Sequence, residues 1–211
     1  GMTLAAAGHP VVLWARDPQH VAAMQSTRRN DRQVAGVDFP ASLNATADIA
    51  DLSACPVVLL AVPTQSLRAA LRAHAPYFAG KVLVATCKGV ELSTGLLTSD
   101  VVGQEVPDAQ IGVLTGPSFA ADIARGKPTA LTLAATAEVA DHLQAQLSTP
   151  TLRLYASDDL IGAQLGGALK NVVAIAAGVA IGAGLGESAR AALMTRGYAE
   201  MVRYAIGRGA Q

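Results

Sequence analysis

Aromatic residues are scarce in this chain, 4% of 211 residues against 51% hydrophobic overall. A core built almost without them must be filled by Ala, Val, Leu and Ile. That balance suits a buried parallel sheet covered by Ala-rich helices. Net charge is absent too, because 16 Lys and Arg offset 16 Asp and Glu. No overall field draws the chain to nucleic acid or to an anionic membrane, so any anion recognition must be local. Cysteine is nearly missing: Cys55 and Cys87 stand far apart and outside any CxxC spacing. That argues against a disulfide scaffold and a zinc site, and no metal is expected. Lys88 beside Cys87 would lower the thiol pKa, but the favoured reading of Cys87 is a small residue at a strand end. The longest uncharged apolar stretch, Val172 to Gly186, runs about 15 residues, short of the roughly 20 that a membrane span needs. Gly1-Met2 leads into a polar turn with no leader-like segment. A soluble cytoplasmic chain is therefore expected.

What the chain does have is alternation. Apolar β-rich runs occur at Val11–Trp14, Val57–Val62, Val82–Thr86, Ile111–Thr115 and Ala130–Ala134, with a weaker one at Leu152–Tyr155. Helical stretches such as Gln65–Ala75 and Ala137–Leu147 separate them. Continuous apolar runs fit strands buried on both faces, and their alternation with helices predicts βαβ units in a doubly wound parallel sheet. The character changes at Ser157-Asp158-Asp159, which can cap a helix N-terminus. Leu160–Ala183 then reads as a long apolar helix and Glu187–Arg208 as an amphipathic one. A helix apolar all round is normally central, and one neighbour cannot cover it. The expected fold class is α/β, with a Rossmann-like sheet in residues 1–157 and the first helices of an all-helical domain in residues 158–211. Met2–Ala7 resembles the end of a first helix, and G-x-G-x-x-G does not occur ahead of it. The expectation is a sheet lacking its first strand and glycine-rich loop.

Several polar islands interrupt the apolar pattern. Thr86-Cys87-Lys88-Gly89 follows a strand, and the carboxyl ends of parallel strands are where ligands bind in such sheets. Lys88 there can meet an anionic substrate or cofactor. Gly116-Pro117-Ser118-Phe119-Ala120 follows the next strand; Gly-Pro turns sharply, and Ser118 can cap a helix through Ala121-Asp122. Lys170-Asn171 lies inside the apolar helix, one turn after Gly166-Gly167. A buried lysine must be paired or give up its proton readily, which makes Lys170 a candidate general base. The two glycines would let a backbone or a ligand approach. Arg16 ends the first strand, where an acid would take ribose hydroxyls and an arginine a 2′-phosphate; Asp17 is its neighbour.

Together the islands resemble the bacterial NAD(P)-dependent glycerol-3-phosphate dehydrogenases. The matching pieces are Leu13–Pro18, Ala61–Gln65, Thr86–Gly89, Gly116–Ala120, Ala124–Thr129, Gly166–Val172, Ala191–Leu193 and Thr195–Gly197, in the family's order. The resemblance implies an oxidoreductase that interconverts sn-glycerol 3-phosphate and dihydroxyacetone phosphate, for phospholipid synthesis, with NAD or, by preference, NADP. It implies that Lys170 is the proton acceptor, supported by Asn171. Lys88, Gly116 and Ser118 would contact substrate, and Arg16, Lys88 and Ala120 the cofactor. It also implies a homodimer acting on a small molecule. The sequence departs from the family in two places. Asn30-Asp31-Arg32-Gln33-Val34-Ala35 replaces Asn-x-x-Tyr-Leu-Pro, and Ile181–Ser188 replaces a run with Asp and Asn. The Arg-Asn motif expected to hold the substrate phosphate is not in this sequence, so a chain short at its far end is expected; with the glycine-rich pyrophosphate loop missing as well, weak or no dinucleotide binding is expected. Two alternatives remain at this point: an inactive folded or partner-binding module, and a β-hydroxyacid-type dehydrogenase.

Overall fold

The computed structural model describes residues 1–211. In chain order the elements are α1 (Met2–Ala6), β1 (Val11–Trp14), α2 (Pro18–Thr27), β2 (Leu43–Thr46), β3 (Val57–Leu60), α3 (Thr64–His74) and β4 (Val82–Ala85). There follow α4 (Thr98–Glu105), β5 (Gln110–Thr115), α5 (Ala120–Ala124), β6 (Thr129–Ala134), α6 (Ala137–Leu147) and β7 (Leu152–Ser157). Two long helices, α7 (Leu160–Gly182) and α8 (Gly186–Gly207), complete the chain. All six strands expected from apolar runs are present. β2 was not foreseen, because Leu-Asn-Ala-Thr is too short for its alternation to register, although Leu43 and Ala45 are buried and Asn44 is exposed.

β1 and β2 form a separate parallel pair. The other strands make one sheet in the order β3-β4-β5-β6-β7. β3, β4 and β5 are parallel, with Val57 opposite Val82 and Val82 opposite Gln110. The expectation of a parallel sheet needs one amendment, since β6 runs antiparallel to β5, with Thr115 opposite Thr132. The cause lies in the connection. A parallel return needs a crossover packed on the sheet, but the segment after Thr115 holds only the five-residue α5, which packs on α1. Thr3 Oγ1 donates to the Ile123 carbonyl there.

Leu83 and Val84, adjacent in β4, are both fully buried. Neighbouring strand residues point to opposite faces, so the sheet is covered on both sides. Leu83 packs with Leu60, Leu67, Leu71 and Val102, under α3 and α4. Val84 packs with Leu133, Leu143 and Leu154, under α6. The single Trp14 seals the edge, its indole N–H donating to the Ala47 carbonyl and its ring lying edge-on to His74 at 5.3 Å.

Capping differs in part from expectation. Asp159 caps α7, its Oδ1 accepting from Gly162 N–H at 2.7 Å. Ser118 caps nothing: Phe119 occupies the N-cap of α5 with no side-chain hydrogen bond. The turn at Gly116 consumes one more residue than a Ser118 cap would allow. Asp17 caps α2 through Gln19 and His20 N–H, with Pro18 in the first turn. With all 23 residues counted, α7 is long and apolar enough to cross a membrane, unlike the shorter uncharged stretch measured on the sequence. It packs on β5, β6 and α8. As expected for a helix with too few neighbours, Val172, Ile175 and Val179 stay exposed.

A charged network fixes α3 to its surroundings. Arg68 bonds both Glu91 carboxylate oxygens at 2.8 Å and Glu105 at 2.7 Å, and Arg72 joins at Glu105. Arg68, then Thr94, hold the Glu91 carboxyl down at about 2, against 4.5 for a free glutamate. A carboxylate depressed in the folded state contributes stability that is complete above its unfolded pKa and lost as pH falls through the folded one. The thermal midpoint should therefore fall between about pH 4.5 and 2, and Arg68→Met should flatten that fall. An identical acid limb in the variant would remove the network from the account.

Candidate functional site

The carboxyl ends of β4 and β5 lie side by side, and the two loops that leave them carry the polar islands. Helix α3 anchors the first loop. Thr64 Oγ1 donates to the Lys88 carbonyl at 2.9 Å. Gln65 Nε2 donates to the Val90 carbonyl, and its Oε1 accepts from Leu92 N–H. These holds were not foreseen as roles, although Thr64 and Gln65 sit in one of the matched motifs. With the backbone pinned on both sides, Lys88 projects toward β5, where its Nζ donates to the Gly116 carbonyl at 3.3 Å.

Lys170 reaches the same oxygen from the other direction, its Nζ donating to the Gly116 carbonyl at 2.9 Å. Ser118 N–H donates to it as well, at 3.0 Å. Three donors thus converge on one carbonyl, two of them ammonium-bearing side chains. Burial, then the nearby Lys170 charge, hold Lys88 below the ordinary lysine value. A lysine so placed releases its proton more readily than one in water.

Two close approaches depend on glycines, that of the turn after β5 to β6 at Gly116 and that of α7 to β5 at Gly167. A Cβ at Gly116 would lie 2.7 Å from Leu131 Cδ2 and 3.3 Å from the Ala130 carbonyl. A Cβ at Gly167 would lie 2.5 Å from Thr115 Oγ1 and 3.7 Å from Lys88 Cγ, whereas one at Gly166 meets nothing within 4 Å. The expected close approach therefore belongs to Gly167. Thr115 Oγ1 is buried there with no hydrogen-bond partner. Overpacking costs about 1–3 kcal/mol, while Ala for Gly gains a helix about 1 kcal/mol. Gly167→Ala should lower the urea midpoint and Gly166→Ala should raise it; shifts of the same sign would refute the close contact.

The remaining candidates stand apart from the Gly116 carbonyl. Asn171 is exposed and makes no hydrogen bond to Lys170, as follows for neighbours about 100° apart around a helix. Arg16 is exposed, with no hydrogen bond or ion pair. Asp17 beside it is engaged by the α2 backbone and by Arg32 at 3.2 Å, and these hold its carboxyl low. Ala120 opens α5 on the surface. Cys87 is half-buried, and burial pushes its thiol up rather than activating it. No group of three or more His, Cys, Asp or Glu is placed to hold a metal.

Sequence and structure comparisons decide what this arrangement belongs to. The profile described as NAD-dependent glycerol-3-phosphate dehydrogenase N-terminus matches residues 1–141, and the corresponding C-terminus profile matches residues 159–211. The chain belongs to the NAD-dependent glycerol-3-phosphate dehydrogenase family. It is 57% identical over 206 residues to the glycerol-3-phosphate dehydrogenase [NAD(P)+] of Roseobacter denitrificans, covering 96% of this chain and 64% of that protein. To the protein of the same name from Paramagnetospirillum magneticum it is 50% identical over 210 residues, covering 99% and 76%. The crystal structure of glycerol-3-phosphate dehydrogenase from Coxiella burnetii superposes with a TM-score of 0.92 at 34% identity, covering all of this chain and 65% of that one. The chain thus spans just under two thirds of the length of the Roseobacter relative. Lys88 and Gly116 fall within the residues matched by the N-terminus profile and Lys170 within those matched by the C-terminus profile, and the two lysines meet at the Gly116 carbonyl.

Proposed function

We propose that this glycerol-3-phosphate dehydrogenase family chain carries the central part of an oxidoreductase site. The reaction is the interconversion of sn-glycerol 3-phosphate and dihydroxyacetone phosphate, supplying glycerol phosphate for phospholipid synthesis. The observation that carries this reading is the convergence of Lys88 and Lys170 on the Gly116 carbonyl. NAD or NADP, when bound, supplies the hydride acceptor or donor. Lys170, in its neutral form, takes the proton of the C2 hydroxyl through Nζ as hydride leaves C2; in the reverse direction it returns that proton to the carbonyl oxygen. Lys88 stands beside it to hold an anionic substrate. The Gly116 carbonyl keeps both side chains extended until a substrate oxygen takes its place as their partner. Ser118 completes the proposed substrate side, and Asn171, next to Lys170 in the chain, is the proposed support for the base.

The residues at the carboxyl end of β1 fit the ribose end of a dinucleotide, while the glycine-rich loop for its pyrophosphate is not in this sequence. Arg16 is free at the carboxyl end of β1, while Asp17 is committed to capping α2. A free cation beside an occupied acid suits a 2′-phosphate better than ribose hydroxyls, which supports a preference for NADP. Ala120 N–H is among the first-turn donors that no helix carbonyl serves. The sheet part of the reading occupies residues 1–157 and the helical part 158–211. The exposed Val172, Ile175 and Val179 stripe on α7 supports a homodimer, a part that sedimentation showing a monomer would remove. The proposed setting is the cytoplasm.

The test is dihydroxyacetone-phosphate-dependent oxidation of NADPH and NADH, read by nicotinamide absorbance. The chain is assayed alone and completed with the flanking segments of the Roseobacter relative. Substrate-dependent turnover in the completed protein, with Lys88→Ala raising KM, supports the reading. No turnover with either cofactor overturns it.

A further inference from the structure

Gln164 lies deep in the interface between α7 and α4, only 5% exposed. Its amide is fully used. Oε1 accepts from Thr98 Oγ1 at 2.7 Å and from Ser99 N–H at 2.9 Å. Nε2 donates to Ser99 Oγ at 2.9 Å and to the Leu160 carbonyl at 3.0 Å. These four bonds exhaust the hydrogen-bonding capacity of a primary amide.

The partners are what matter. Thr98 and Ser99 are the first two residues of α4, and Leu97 at its N-cap has no side-chain oxygen to offer. A first-turn N–H has no carbonyl within its own helix, so Ser99 N–H takes its acceptor from α7 instead. Gln164 therefore caps α4 from 65 residues away. The loop that ends at α4 is the one that carries Lys88, already pinned at its other side by Thr64 and Gln65. The helix that carries Gln164 also carries Lys170. One side chain joins the two supports on which the paired lysines are mounted.

We propose that Gln164 is a positioning residue whose amide clamps the start of α4 to α7 and thereby sets Lys170 against Lys88. It depends on the proposed function only in treating the lysines as a working pair, and its test needs no turnover, so the two fail separately. The conservative variant separates clamping from the amide itself. Gln164→Glu keeps the acceptor for Thr98 Oγ1 and Ser99 N–H, the Ser99 hydroxyl that accepted from Nε2 can turn to donate to the carboxylate, and a carboxylate at a helix N-terminus is favoured by the dipole. Gln164→Leu has similar bulk and keeps none of these bonds.

The readout is the ionisation of Lys88 in the 211-residue chain, followed as the pH dependence of its labelling by an amine-reactive reagent and resolved by mass spectrometry. Lys170 is the charged group that bears on Lys88. In the parent chain Lys88 should titrate below an ordinary lysine. In Gln164→Leu its midpoint should rise, slowing labelling several-fold at a fixed pH below the midpoint, and Gln164→Glu should restore the parent curve. Leu154→Ala, a core change in the cluster under α6, destabilises the fold but should leave the curve in place. A Gln164→Leu protein that loses stability with no change at Lys88 would overturn the proposal. If that protein does not fold, Thr98→Val and Ser99→Ala remove the same bonds from the α4 side, and an unmoved Lys88 curve in both would overturn it equally.

Discussion

Replacing Lys170 by Ala in the completed protein should lower kcat for dihydroxyacetone phosphate reduction by about 10²–10⁴-fold, the range for a lost general acid or base. Dinucleotide affinity should change little, because Lys170 touches the Gly116 carbonyl and not the Arg16 region. The magnitude separates two roles. A side chain that only held the loop through its 2.9 Å bond to Gly116 would be worth about 1 kcal/mol, or roughly five- to tenfold in rate. A fall of that size would leave Lys170 as a structural contact. A fall of several hundredfold, with partial recovery on adding a small primary amine, would place it on the proton. The control is Lys88→Ala, which should act mainly on KM. Steady-state rates with dihydroxyacetone phosphate and calorimetric binding of NADPH make the comparison, and normal turnover in Lys170→Ala would exclude it from the mechanism.

Leu133→Ala should be the most damaging single core truncation, lowering stability by about 2–5 kcal/mol. For a chain of this size that corresponds to a thermal midpoint lower by roughly 5–20 °C. Leu133 is fully buried in β6, within the cluster of Val84, Leu143 and Leu154. Those neighbours come from β4, α6 and β7, each held by its own strand pairing or helix packing, so the surroundings cannot collapse into the space. The cost should therefore sit toward the upper part of the range. Leu92→Ala removes the same group from a side chain that is 82% exposed, and its effect should stay within about 0.5 kcal/mol. Differential scanning calorimetry of both variants tests the contrast. Similar midpoints would mean that Leu133 is not part of a packed core.

The sequence by itself determined the strand runs and the break near Ser157, because they rest on local pattern. Val11–Trp14 was legible to the residue, since a continuous apolar run bounded by His-Pro and a polar turn leaves little choice. α6 was equally legible, at Ala137–Leu147. α2 and α4 were not read, because α2 is nearly as polar as apolar and α4 is short and capped from elsewhere. The direction of β6 was also hidden, because it depends on α5 packing against α1 rather than on any residue in the strand.

The candidate site divides along the same line. Lys88, Gly116 and Lys170 each stood out as a polar or flexible residue in an apolar setting, and the ordered motifs tied them to one family. That two lysine Nζ atoms share the Gly116 carbonyl was decided only by tertiary structure, through contacts 28 and 54 residues apart in the chain. Gln164 gave no signal, being one polar residue at a helix start where a solvated glutamine would serve as well. Its role arises because α4 lacks a cap of its own and α7 passes close enough to supply one. Local pattern fixes which segments become strands and helices, because burial and periodicity act on neighbouring residues. Which side chains meet is fixed by how those elements pack, and the lysine pair and its clamp belong to that second kind of information.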